Sequence, residues 1–174
     1  LTKGYVTYMV DYSLGWGYGG MHLQNILWHL GAAVILFYIL SLVSGSLYGS
    51  FFATLLWSIH PLRVESVVWL ASRKDVISTF FIFLSTFFWV KAGSCNYKFL
   101  TYSFVAACIC AMAKPSAMLI PLIVISFDLF VTRKLKPSSV YKVVLIFFLL
   151  TAIEALIAQK AYGAGALSSL IPFS

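Results

Sequence analysis

Apolar residues run through this 174-residue chain in long blocks separated by short polar breaks. A helix rises about 1.5 Å per residue, so about 20 consecutive apolar residues cross a hydrocarbon core. On that measure the blocks at 22–43, 76–90, 99–113, 116–131 and 140–158 are read as spanning helices, with a shorter run at 47–59. The breaks carry turn chemistry: Ser44-Gly45-Ser46, His60-Pro61, the stretch 91–98, Lys114-Pro115, and the stretch 132–139 with Pro137. Proline resists a helix interior and pushes the residue before it out of the helical region, so Lys114-Pro115 should end one helix and open another, while the 47–59 run either continues as a helix kinked at Pro61 or hands over to an interfacial helix. Residues 1–21 are rich in Gly and Tyr and read as an interfacial loop, and 161–174 are too broken to span. The transmembrane helical domain is therefore 22–160, flanked by two non-cytoplasmic loops. The expected fold is an all-α polytopic membrane protein of about six transmembrane helices.

One stretch breaks the apolar pattern. Over 62–71, Val64, Val67, Val68 and Ala71 recur at i, i+3, i+4 and i+7, while Arg63, Glu65 and Ser72 fall elsewhere. That is one apolar face of a helix beside a charged one, and it predicts an interfacial amphipathic helix within 60–75. Ser72-Arg73-Lys74-Asp75 then has the S-x-x-D form of a capping box and should open the next span.

Composition sharpens this reading. Charged residues make up 10% of the chain and hydrophobic ones 61%, whereas soluble domains carry about 25% charged residues. The ten Tyr and five Trp suit the membrane–water interface. The formal net charge is +7, but the basic residues are scattered singly between apolar runs, which excludes a nucleic-acid partner. The expected partner is membrane lipid. No signal peptide is read, and the chain, which begins at Leu1, is taken as a fragment, a processed chain or part of a longer one. Cys108-Ile109-Cys110 lies in an apolar block and reads as small buried residues rather than a metal site.

The loops alternate sides. One side holds Lys91, Lys98, Arg133, Lys134, Lys136 and Lys142; the other holds Lys3, Arg63, Arg73, Lys74, Lys114 and Lys160, so the basic counts tie. The compact Arg133/Lys134/Lys136 loop, with no acid beside it, marks the first side as cytoplasmic. His22, His60, Arg63, Glu65, Arg73, Lys74, Asp75 and Lys114 then gather on the non-cytoplasmic face. Charge beside a hydrocarbon slab is costly and usually pairs, lines a wet cavity or serves a function. Several cations beside two carboxylates suit an anionic ligand bearing hydroxyls, and a phosphate carried by a lipid fits that description. Some of these residues also have structural readings: Asp75 as a helix-capping carboxylate, Arg73 and Lys74 as interfacial anchors, and Asp128 as a partner for Arg133 or Lys134. His22, Asn25 and His29 share one helix face and are read as interhelical hydrogen-bonding groups, with no metal site.

These residues carry a family resemblance. His22, Asn25 and His29 form an H-x-x-N-x-x-x-H helix start that resembles the transmembrane, tetratricopeptide-containing O-mannosyltransferases and their bacterial relatives. The run from His60-Pro61 through Glu65 and Val67 to Arg73-Lys74-Asp75 is similar to a long motif of that family. Lys114-Pro115 with Pro121 and Asp128 is similar to a later one, and 165–170 resembles the loop that follows. The resemblance covers nearly the whole chain as the middle portion of such a protein. It implies a GT-C-like core: a membrane glycosyltransferase that moves a sugar from a polyprenyl-phosphate carrier to a protein hydroxyl on the non-cytoplasmic face. The location would be the endoplasmic reticulum or a bacterial inner membrane. The lipid-phosphate and sugar site would then comprise His60, Arg63, Glu65, Arg73, Lys74 and Lys114. No residue is assigned as the catalytic base, since Asp11 is the single acidic residue before His22 and aligns poorly with that role. The donor substrate would be a polyprenyl-phosphate sugar and the partner a protein acceptor. The alternative is a non-catalytic scaffold subunit derived from such an enzyme and packed against other membrane subunits.

Overall fold

The computed structural model describes residues 17–92 and 96–113, together with the isolated positions Met9, Ser13, Gly15, Ser126, Leu149 and Ile153. The described residues form five α-helices and one 3-10 turn, with no strand among them. Helix α1 spans Tyr18–Ser44, α2 Leu47–Ser58, α3 Pro61–Val68, α4 Arg73–Ala92 and α5 Tyr97–Ala113, and the 3-10 turn Leu70–Ser72 joins α3 to α4.

The breaks fall where turn chemistry puts them. After α1, Gly45 takes the left-handed conformation at φ 67° and its N–H bonds the Ser41 carbonyl, a helix end that favours glycine. Ser46 then caps α2, its side chain accepting from the Gly49 N–H at 3.2 Å. The hydroxyls of Ser44 and Ser50 lie 3.1 Å apart and tie the two helix ends together. The 47–59 block does not run on through a kink: α2 stops, His60 becomes the N-cap of α3, and Pro61 sits in the first turn where its missing N–H costs nothing. Helix α4 opens at Arg73, directly after Ser72, with Asp75 in its first turn and Lys91 in its last. Both charges complement the helix dipole.

Two bounds differ from expectation. Helix α1 begins at Tyr18 rather than His22, drawing part of the Gly-rich stretch into its first turn. Intrinsic propensity opposes this, but the Met21 carbonyl receives a hydrogen bond from Arg73, and that tertiary contact holds the first turn. Between α4 and α5 the break is shorter than 91–98, because Lys91 and Lys98 are both helical.

Helix α4 packs between α1 and α5. Against α1, Trp28 meets Phe80 edge-on at a centroid distance of 4.9 Å. Gly31 allows that approach: a Cβ there would stand 2.9 Å from the Phe80 ring. Against α5, Ser85 and Ser103 each donate a hydroxyl to the other's backbone carbonyl, at 2.9 and 2.8 Å. Trp89, Ala107 and Cys110 form the buried cluster of this interface. Cys110, fully buried, donates its thiol to the Ser78 carbonyl at 3.5 Å. It behaves as the small buried residue expected of it.

Two stretches, Tyr18–Ser44 and Leu70–Ala92, are long and apolar enough to cross a membrane; α5 is apolar and shorter. Of the six expected spans, those at 116–131 and 140–158 lie outside the described residues apart from Ser126, Leu149 and Ile153, and the loops at 132–139 and 161–174 lie wholly outside them. Large apolar side chains such as Leu27, Leu30, Val34, Phe51 and Phe52 stand exposed along α1 and α2.

Candidate functional site

The starts of α1 and α4 meet at one end of the helix array. Arg73, the first residue of α4, is 1% exposed and reaches α1 twice. Its Nε donates to Asn25 Oδ1 at 3.1 Å, and its Nη2 donates to the Met21 carbonyl at 3.1 Å. A guanidinium taken out of water needs such acceptors, since its desolvation costs several kcal/mol otherwise. Asn25, fully buried, uses its other atom as well: Nδ2 donates to the Val67 carbonyl of α3 at 3.1 Å.

Helix α5 runs back from the far end, with Cys110 beside Ser78, and α2 also returns here. At the end of α2, the Ser58 carbonyl lies 3.1 Å from His29 Nε2 of α1. The His29 ring stacks on Trp57 at 5.2 Å, and the Arg63 guanidinium sits over the Trp57 ring at 5.4 Å from its centroid. His29, Trp57, Arg63, Ser66, Asp75 and Thr79, with Ala32, Val67 and Val76, line a small cavity of about 20 Å³ beneath α3. That is room for one water molecule and too little for a phosphate.

Helix α3 is the roof of this cavity, but its faces differ from expectation: Val67, expected on one apolar face with Val64 and Val68, lines the cavity beside Arg63. Arg63, Ser66 and Val67 line the cavity. Val64 and Val68 stand 46% and 60% exposed, with Leu62 and Trp69 exposed beside them. The inner side of α3 is mixed: Arg63 and Ser66 line the cavity together with Val67, while Glu65 stands exposed alongside Val64 and Val68.

The expected site residues divide accordingly. Arg63 and Asp75 meet at the cavity, joined by His29 from the α1 motif. Arg73 and Asn25 are buried side by side and hold the helices together. His60 is exposed and caps α3, its Nδ1 accepting from the Leu62 N–H at 3.4 Å. Glu65 and Lys74 are exposed, and His22 is half-buried one turn before Asn25. Lys114 and Asp128 lie outside the described residues. Three polar or aromatic residues of the cavity, Trp57, Ser66 and Thr79, were not among the expected site residues. Ser66 and Thr79 sit three and four positions after Arg63 and Asp75, on the same helix faces, and that spacing was a usable signal. Trp57 carried none, being one Trp of five. Among the described residues no cluster of His, Cys, Asp and Glu forms a metal site.

Against this geometry, human protein O-mannosyl-transferase TMTC2 is 25% identical over 145 residues, which cover 78% of this chain and 17% of that protein. Human protein O-mannosyl-transferase TMTC4 is 29% identical over 102 residues, 50% of this chain and 14% of its own length. The mouse TMTC2 protein matches over the same extent as its human counterpart. The similarity is to protein O-mannosyl-transferases, partial and distant. The chain spans less than a fifth of the length of these relatives. No protein-family model matches it, and no solved structure does. The two long apolar helices and the partial similarity point the same way, to a membrane protein.

Proposed function

We propose that this chain is the core portion of a GT-C-like membrane glycosyltransferase that takes a sugar from a polyprenyl-phosphate carrier and passes it to a protein hydroxyl on the non-cytoplasmic face. The observation that carries the reading is the meeting of Arg63 on α3 with His29 of α1 and Asp75 of α4 at one end of the helix array, with Val64 and Val68 of α3 exposed. In this reading α3 lies at the membrane surface, with Val64 and Val68 toward lipid. The 20 Å³ cavity holds water, and the phosphate approaches the exposed rim formed by His60, Arg63, Glu65 and Lys74. Lys114, which lies outside the described residues, is proposed for the same phosphate-binding set on the sequence alone.

The chemistry is an inverting displacement. The acceptor hydroxyl oxygen attacks the anomeric carbon, the bond to the phosphate oxygen breaks, and the phosphate leaves with the electron pair. A carboxylate takes the hydroxyl proton. Arg63 offsets the charge on the leaving phosphate as it develops, which is where a fixed cation lowers a barrier most. Its seat on Trp57 holds the guanidinium in place before the donor arrives.

The test is turnover of a polyprenyl-phosphate mannose by the full-length protein in lipid nanodiscs, with a protein acceptor. Arg63→Ala should lower turnover about a hundredfold while the melting temperature holds. Unchanged turnover by a folded variant would sink the assignment. A second reading, the non-catalytic scaffold subunit, draws on the use of Arg73 and Asn25 as internal struts. A wild-type protein that neither binds nor turns over the donor, yet purifies with stoichiometric membrane partners, would favour it.

A further inference from the structure

The geometry points to Asn25 as a positioning residue that latches α3 over the cavity, acting through the Val67 carbonyl on one side and Arg73 on the other. The inference rests on the donor-site reading above for its consequence, though not for the latch itself.

Helix α3 has eight residues and buries none of them. Isolated helices shorter than about 12 residues are marginal in water, so α3 depends on outside contacts to stay formed and seated. Val67 is the penultimate residue of α3, and its carbonyl is one of those that a helix end leaves without an internal partner. Asn25 Nδ2 supplies that partner from α1. The other end of the same amide is fixed, because Oδ1 accepts from the buried Arg73 at the start of α4. One side chain therefore sets the distance between three elements. Asn25 is absent from the cavity wall and from the exposed rim, so it touches no ligand there. What it decides is whether Arg63 and Ser66 on α3 stay opposite His29 on α1 and Asp75 on α4.

Asparagine suits this task because it carries a donor and an acceptor on one short stem. Asn25→Asp separates the two arms. The carboxylate keeps an acceptor for Arg73 and adds an opposite charge, which preserves the α1–α4 contact. It has no donor for the Val67 carbonyl and turns a lone pair toward it, which releases α3.

The experiment is hydrogen exchange by mass spectrometry on the full-length protein in nanodiscs, with and without polyprenyl-phosphate mannose. Asn25→Asp should speed exchange across 61–68 about fivefold, the loss of one hydrogen bond, and leave α4 and α5 unchanged. Donor lipid should slow exchange across 61–68 in the wild type, and its dissociation constant should rise about fivefold in the variant. Exchange across 61–68 that is the same in both proteins overturns the latch. Faster exchange with unaltered donor affinity overturns the positioning role. A wild type that binds no donor, while the variant still exchanges faster across 61–68, overturns the donor reading and supports the latch.

Discussion

The two ends of α4 bury polar groups in different ways. Toward its middle and end, Ser85 meets Ser103 of α5 in a closed exchange: each hydroxyl bonds the other residue's carbonyl, and the two hydroxyls stand 3.1 Å apart. The partners are two, and both sit on regular helices. At its start, Arg73 meets Asn25, Met21 and, through Asn25, the end of α3. There the chain is charged, a short helix is involved, and one amide serves three elements. The first arrangement is a local fastening between helices that already pack. The second is a joint on which the arrangement of the polar end depends.

That contrast can be broken most directly at the joint. Arg73→Met keeps much of the side chain's apolar volume and removes the donors, leaving the buried Asn25 Oδ1 without its partner, while the Met21 carbonyl keeps its place in the backbone ladder of α1. Losing two hydrogen bonds from a charged donor, with Asn25 Oδ1 left buried and unpartnered, should cost about 3 kcal/mol, seen as a fall in unfolding midpoint in mild detergent, together with fraying of the first turn of α1 in hydrogen exchange. A midpoint within error of wild type would show that the joint carries no stability.

A smaller effect is expected where α1 and α4 simply touch. Gly31→Leu puts a side chain where a Cβ alone would already meet the Phe80 ring at 2.9 Å. Overpacking of this kind costs about 1–3 kcal/mol, partly offset because leucine is the better helix former. Loss of the Trp28–Phe80 edge contact should appear as a change in Trp fluorescence, and an unaltered spectrum would argue against a close approach at Gly31.

The smallest effect belongs to the serine exchange. Ser85→Ala with Ser103→Ala removes both hydroxyls and leaves two helix carbonyls whose backbone bonds persist. Interhelical hydrogen bonds within membranes average about 0.6 kcal/mol, so a double-mutant cycle should give a coupling energy of about that size, with donor turnover unaffected. A coupling as large as the Arg73 effect would erase the distinction between fastening and joint.

Much of this was legible beforehand. The helix breaks at Ser44-Gly45-Ser46 and His60-Pro61 rest on local chemistry, a left-handed glycine and a proline at N1, and α4 opens directly after Ser72, where the S-x-x-D pattern expects a helix start. Local rules act on neighbours in sequence, so sequence reveals them. The meeting of Arg63 with Asp75 was legible only as membership of one polar face; the structure adds His29, Trp57, Ser66 and Thr79 to the same cavity. Arg73 was the hard case. Nothing in the run Ser72-Arg73-Lys74-Asp75 distinguishes the buried Arg73 from the exposed Lys74 beside it. The difference is about 100° of helical rotation, and which direction is inward depends on where α1 lies. Hydropathy gives little help, because the lipid side and the packed side of a membrane helix are both apolar.

The helical class, the breaks at 44–46 and 60–61, the amphipathic composition of 61–68 and the concentration of charge around it were all present in the chain's own pattern. These follow from periodicity, backbone sterics and the cost of burying charge, all of which operate within a few residues. Tertiary structure alone decided which polar side chains became struts and which stayed at the rim. Asn25 and Arg73 lie 48 positions apart, and Asn25 and Val67 lie 42 apart. Their hydrogen bonds exist because three helices converge, and no pattern along one helix encodes where the others will stand.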